Sequence, residues 1–81
     1  MQIRVLFFAL LRDRAGVAQT TLELNEGATV AEAAQKLGEK FPAIASYLPR
    51  VAFAVNQSYM PNETRLSDGD ELAVIPPVSG G

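Results

Sequence analysis

The chain has 81 residues, 48% of them hydrophobic, a formal net charge of −2, and no Cys, His or Trp. That length is one domain able to bury a core without staples. The missing Cys and His exclude disulfides, thiolate metal sites, a thiol nucleophile and the commonest general base. The scatter of seven basic residues argues against nucleic-acid binding, and no apolar run is long enough to span a bilayer.

Residues 2–8 read as a strand, with Ile3, Val5 and Phe7 on one face and Arg4, Leu6 and Phe8 on the other. A strand apolar on both faces is either covered twice or presents one face to a partner. Residues 9–14 suit a short helix ended by Gly16 in a left-handed cap. A second strand is expected over 20–24, with Leu22 and Leu24 on one side. Asn25-Glu26-Gly27 is a turn.

Thr29 and Glu32 fit a capping box, with Thr29 as N-cap. Val30, Ala33, Ala34, Leu37 and Phe41 then form a helical stripe directed at a core. Gly38 weakens the last turn, and Pro42 stops the helix. Another short turn of helix is expected over 43–48, before Pro49. Residues 51–55 are a short apolar strand, and Asn56-Gln57 a turn into a further strand at 58–60. Ser67-Asp68-Gly69-Asp70 is a strong turn signal. The last strand is 71–75, with Leu72 and Val74 on one face and Ala73 and Ile75 on the other.

One main helix across one face of a mixed sheet is a two-layer α+β domain. The first and last strands are the most apolar, as strands paired in parallel at a sheet centre should be. The expected fold is the β-grasp, or ubiquitin-like, fold over residues 1–75, with 76–81 as an extended tail. Pro76 and Pro77 donate no backbone hydrogen bond, and each holds the preceding residue extended. Beyond this stiff exit, Val78, Ser79, Gly80 and Gly81 form a thin flexible tip. From Pro76 the tail spans about 20 Å. A Gly-Gly terminus lacks side chains to shield its carbonyl carbon, so it suits a narrow active site. The plainer alternative is that Pro-Pro ends a strand and the remainder frays.

Leu6 and Phe8 lie opposite the core face of the first strand, and Ala73 and Ile75 opposite that of the last. As neighbours they make one apolar patch beside the tail exit, of the kind that marks partner surfaces. Arg12 is placed at its rim. The alternative is a second small core, covered by residues 9–15 and the loop around Tyr59 and Met60. Turn chemistry accounts for Asp68, Gly69 and Asp70 without a function, and the acids match no metal-loop motif.

Val5-Leu6-Phe7-Phe8-Ala9, Leu11-Arg12, Ala54-Val55-Asn56-Gln57, residues 66–71 and the ending Pro76-Pro77-Val78-Ser79-Gly80-Gly81 resemble the small-subunit family of molybdopterin synthase, the ubiquitin-like sulfur carriers. One departure is Ile75, where family members often carry an aromatic. The resemblance implies that an E1-like enzyme uses ATP to adenylate the Gly81 carboxylate and that a sulfur donor converts it to a thiocarboxylate. The tail then enters the large synthase subunit, in a heterotetramer, and the sulfur attacks the cyclic pyranopterin precursor. No bound cofactor or metal is expected, the partners supply the acid–base groups, and the expected compartment is the cytoplasm. A thiamine-type sulfur carrier, a ubiquitin-like protein modifier and a plain interaction module are the other readings.

Overall fold

The computed structural model of the chain describes residues 1–77. Its elements are β1 (Gln2–Phe7), α1 (Ala9–Ala15), β2 (Gln19–Glu23), α2 (Val30–Lys40), 3₁₀ turns at Pro42–Ile44 and Leu48–Arg50, β3 (Ala52–Val55), β4 (Ser58–Tyr59) and β5 (Glu71–Ile75). The five-stranded sheet runs β2-β1-β5-β3-β4. β1 and β5 are parallel, and the other pairings are antiparallel. This is the mixed β-grasp sheet expected, with the last strand at its centre.

Alternation along the strands sorts the faces. Ile3, Val5 and Phe7 from β1 and Leu72 and Val74 from β5 are buried in one cluster with Leu22, Phe53 and Val55. α2 covers this inner face through Val30, Ala33 and Leu37, each 0% exposed. The helix starts where the capping box places it. The Glu32 N–H donates to Thr29 Oγ1 at 3.3 Å, and the Thr29 N–H to Glu32 Oε1 at 3.4 Å, so two otherwise unpaired donors are satisfied. Phe41 closes the helix and packs edge-on against Phe7, with ring centroids 5.3 Å apart.

α1 ends at Gly16, whose φ of 82° is the left-handed cap expected there. Its Leu11 is fully buried in the main cluster, so α1 closes one end of that core and, among the described residues, covers no second one. The helical turn expected over 43–48 is instead two 3₁₀ turns. The second, Leu48–Arg50, runs through Pro49, which sits in the first turn, where a missing N–H costs nothing. Asn56 (φ 50°) and Gln57 (φ 73°) make the two-residue hairpin between β3 and β4. The turn before β5 hooks the start of β1. The Gln2 N–H donates to Asp68 Oδ1 and the Gly69 N–H to the Gln2 carbonyl, both at 2.8 Å.

Candidate functional site

The outer face of the sheet, opposite α2, carries the side chains that alternate with the core residues. The strand registers lay it out in rows. Arg4 stands beside Glu71, and Leu6 beside Ala73. Ala73 in turn faces Ala54, which faces Tyr59, and Ile75 faces Ala52. Phe8 is extended (φ −121°, ψ 150°), so one further step in the same register sets it beside Ile75. The face is therefore graded. Its polar end holds the Arg4–Glu71 ion pair, 3.0 Å between Nη2 and Oε1. Its apolar end, with Leu6, Phe8, Ala52 and Ile75, lies where β5 runs out of the sheet.

Two features end the pairing at that point. After Phe8 the chain reverses at Ala9, whose φ of 50° lies in the left-handed region that non-glycine residues seldom occupy. The Leu11 N–H closes this turn on the Phe8 carbonyl at 3.1 Å. Thus β1 leaves the sheet beside the end of β5. Pro76 and Pro77 follow Ile75 directly and carry no N–H to extend the ladder. The C-terminal segment thereby departs from the middle of the sheet, at the margin of the apolar patch.

The expected patch residues occupy this face with different exposures. Phe8 is 45% exposed, and Leu6 and Ile75 are half-buried. Ala73 is only 7% exposed. Its small methyl lies mid-strand between Leu6 and Ala54, so it forms the floor of the patch and offers little contact surface. Arg12 is exposed on α1, and among the described residues it makes no ion pair. Pro76 is half-buried and Pro77 exposed. Val78, Ser79, Gly80 and Gly81 lie outside the described residues.

Ala52, Ala54 and Tyr59 extend the face beyond the residues read from the sequence. Tyr59 is 72% exposed, the most of any large hydrophobic residue among those described. The signal for them was present. A two-residue turn at Asn56-Gln57 sets Tyr59 opposite Ala54 as soon as a tight hairpin is assumed. The acidic residues around the 67–70 turn are occupied structurally. Asp68 accepts from Gln2, Asp70 from Ser67 and Asn56, and Glu71 from Arg4.

This sheet order, with α2 on one face and a proline-led segment leaving the central strand, defines the class of ubiquitin-like β-grasp proteins. The ThiS family model matches residues 5–81. A molybdopterin synthase sulfur carrier subunit from Chlamydomonas reinhardtii is 43% identical, and the match covers 100% of both chains. The chain belongs to the ThiS family, among the molybdopterin synthase sulfur carrier subunits. Among solved structures, SAMP1 of Haloferax volcanii, a small archaeal modifier protein, superposes with a TM-score of 0.92 at 28% identity and 100% coverage of both chains. A complex of subunits 1 and 2 of the molybdopterin-converting factor from Helicobacter pylori contains a chain that matches with a TM-score of 0.74 at 27% identity, again over 100% of both chains. No helix among the described residues is long and apolar enough to cross a membrane.

Proposed function

We propose that the chain is the sulfur-donating subunit of a molybdopterin synthase and that Gly81 is its reactive residue. The observation that carries this reading is the exit of the C-terminal segment from the central strand, beside an exposed apolar face. A partner that seats on Leu6, Phe8 and Ile75 finds the root of the tail at the edge of the same contact. The tail then reaches about 20 Å into that partner.

The cycle follows from acyl chemistry. A carboxylate is a poor acyl donor until one oxygen becomes a good leaving group. Attack of the Gly81 carboxylate on ATP releases pyrophosphate and leaves an acyl adenylate, within an E1-like partner. A sulfur donor displaces AMP, and the product is a thiocarboxylate. Its sulfur is anionic and polarisable, so it attacks without a nearby base on the carrier. In the large subunit it attacks an oxygen-bearing carbon of the cyclic pyranopterin precursor, and that oxygen leaves, so a C–S bond replaces a C–O bond with no change of oxidation state. Water then cleaves the acyl–sulfur bond, which leaves sulfur on the precursor and returns Gly81 as carboxylate. Two carriers in turn build the dithiolene. This chain supplies the acyl group and the docking surface, while ATP and the acid–base groups belong to the partners. The compartment proposed for these steps is the cytoplasm.

The test is the intact mass of the chain after incubation with ATP, an activating enzyme and a sulfur source. Replacement of one oxygen by sulfur, confined to the terminal residue by fragmentation, supports the reading. Likeness to SAMP1 favours a second reading, a modifier joined to lysines through Gly81. Isopeptide-linked products in the absence of any thiocarboxylate would select it and overturn the first.

A further inference from the structure

The chain contains two lysines, Lys36 and Lys40, and both reach across from α2 to the outer edge of β2. β2 is an edge strand, paired with β1 on one side only. Its even-numbered residues face β1, as the Phe7 N–H to Ala18 carbonyl bond and the Leu24 N–H to Met1 carbonyl bond show at the two ends. The backbone groups of Gln19, Thr21 and Glu23 therefore point out of the sheet. Such a row is a ready template for another strand.

The two ammonium groups stand on that row. Lys36 Nζ donates to the Glu23 carbonyl at 3.2 Å. Lys40 Nζ donates to the Thr21 carbonyl and to Thr20 Oγ1, each at 3.1 Å. The spacing matches, because four residues of helix advance about 6 Å and two residues of strand about 7 Å. Two lysines one turn apart thus cover two successive outward carbonyls.

We propose that the β2 edge is a latent self-pairing surface, that its partner is a second copy of this chain, and that Lys36 and Lys40 keep it closed. The self-pairing register follows from the strand. Antiparallel pairing about Thr21 sets Thr21 against Thr21 of the second copy, Thr20 against Leu22, and Gln19 against Glu23. No like charges stand opposite one another, and paired threonines are favourable cross-strand neighbours. The hydrogen bonds of that register need the Thr21 and Glu23 carbonyls, the two acceptors the lysines occupy. Pairing at β2 leaves the outer sheet face and the end of β5 clear.

Sedimentation of the purified chain and of its Lys36→Ala/Lys40→Ala variant over a concentration series, with amide exchange at Thr21 and Glu23, tests this. Removal of the two donors is expected to strengthen self-association by at least about tenfold, roughly what one further net hydrogen bond supplies. Exchange at both amides should slow as the dimer forms. Thr21→Pro, added to the double variant, removes the central donor at a position where an edge strand tolerates proline, and should restore the monomer. Lys36→Arg/Lys40→Arg keeps charge and donors and should remain monomeric. A double alanine variant that keeps its fold and stays monomeric overturns the proposal. A dimer that survives Thr21→Pro, a dimeric arginine variant, or a wild-type chain that already pairs through β2 overturns it too.

Discussion

The side-chain amide of Asn56 donates to Asp70 Oδ1 at 3.0 Å, which joins the β3–β4 hairpin to the turn that precedes β5. Asn56 makes two more bonds along the same seam. Its Oδ1 accepts from the Glu71 N–H at 3.0 Å, and its own N–H donates to the Glu71 carbonyl at 2.8 Å. Asp70 uses its other oxygen to accept from the Ser67 N–H at 2.8 Å. Asp70→Ala is therefore expected to cost about 2 kcal/mol, since it removes two hydrogen bonds to a charged acceptor at a partly exposed site. Asn56→Ala should cost a similar amount and adds strain at φ 50°. Because the two residues share a bond, the double variant should lose about 1 kcal/mol less than the sum. Urea unfolding of the four proteins reads this directly, and strict additivity would show that the bond carries nothing.

The two faces of the sheet should respond differently to charge. Val5→Asp and Val74→Asp place a carboxylate where exposure is 0%, and both should abolish cooperative melting. Phe8→Asp and Ile75→Asp fall on the outer face and should melt near wild type. Each should weaken binding to a large synthase subunit by at least ~2 kcal/mol. Calorimetry of the four variants, with titration against the large subunit, makes the comparison. Equal melting behaviour in the two pairs would contradict the assignment of faces.

Glycines offer a second contrast. A methyl added at Gly38 would sit 3.4 Å from Leu48 Cδ1 and 3.5 Å from Ala45 Cβ, which is ordinary contact. Gly38→Ala, inside α2, should raise stability by about 0.5–1 kcal/mol. Gly69 has open space around it but a φ of 84°. Gly69→Ala should lower stability by about 1–2 kcal/mol through backbone strain alone. Denaturation midpoints of opposite sign are the expected result.

The proposed role of Gly81 predicts that changes at the tail separate chemistry from folding. Deletion of Gly81 moves the terminal carboxylate back by about 3.5 Å, and an added residue buries it in an amide. Both changes should abolish sulfur transfer in a reconstituted synthase and leave the melting temperature unchanged, because β5 ends at Ile75. Gly80→Val should be nearly as harmful, since a β-branched side chain narrows the backbone choices of a segment that must thread a tunnel. Ser79→Ala should be mild. Wild-type turnover after the Gly81 deletion would refute the assignment of the reactive residue.

Most of the sheet was legible because strands announce their faces by alternation. Ile3, Val5 and Phe7 point inward as read, and so do Leu72 and Val74. The start of α2 was equally plain, since Thr29 and Glu32 carry their own local chemistry. Leu11 was not. A helix of seven residues shows too few turns for a stripe, and only the reversal at Ala9 aims Leu11 back at the core. The region 42–50 misled because Pro49 looks like a stop for a helix, whereas a 3₁₀ turn accommodates it near its start. The patch residues Ala52, Ala54 and Tyr59 become visible once a tight hairpin at Asn56-Gln57 is assumed, because it fixes the β3–β4 register. Alanines carry no apolar signal strong enough to mark a face, and that face is set by their neighbours on β5 and β4.

β5 is the last of the described strands in chain order, yet it lies between β1 and β3 at the centre of the sheet. A nascent chain that has emerged only through residue 70 holds β1 and β3 with nothing to join them, and Leu72 and Val74 are missing from the core. Completion of the sheet therefore waits on Glu71–Ile75. Incomplete products of translation lack the Leu6–Ala73 and Ala52–Ile75 pairings that build the outer face. The topology makes possession of a fold a certificate that synthesis ran through Ile75.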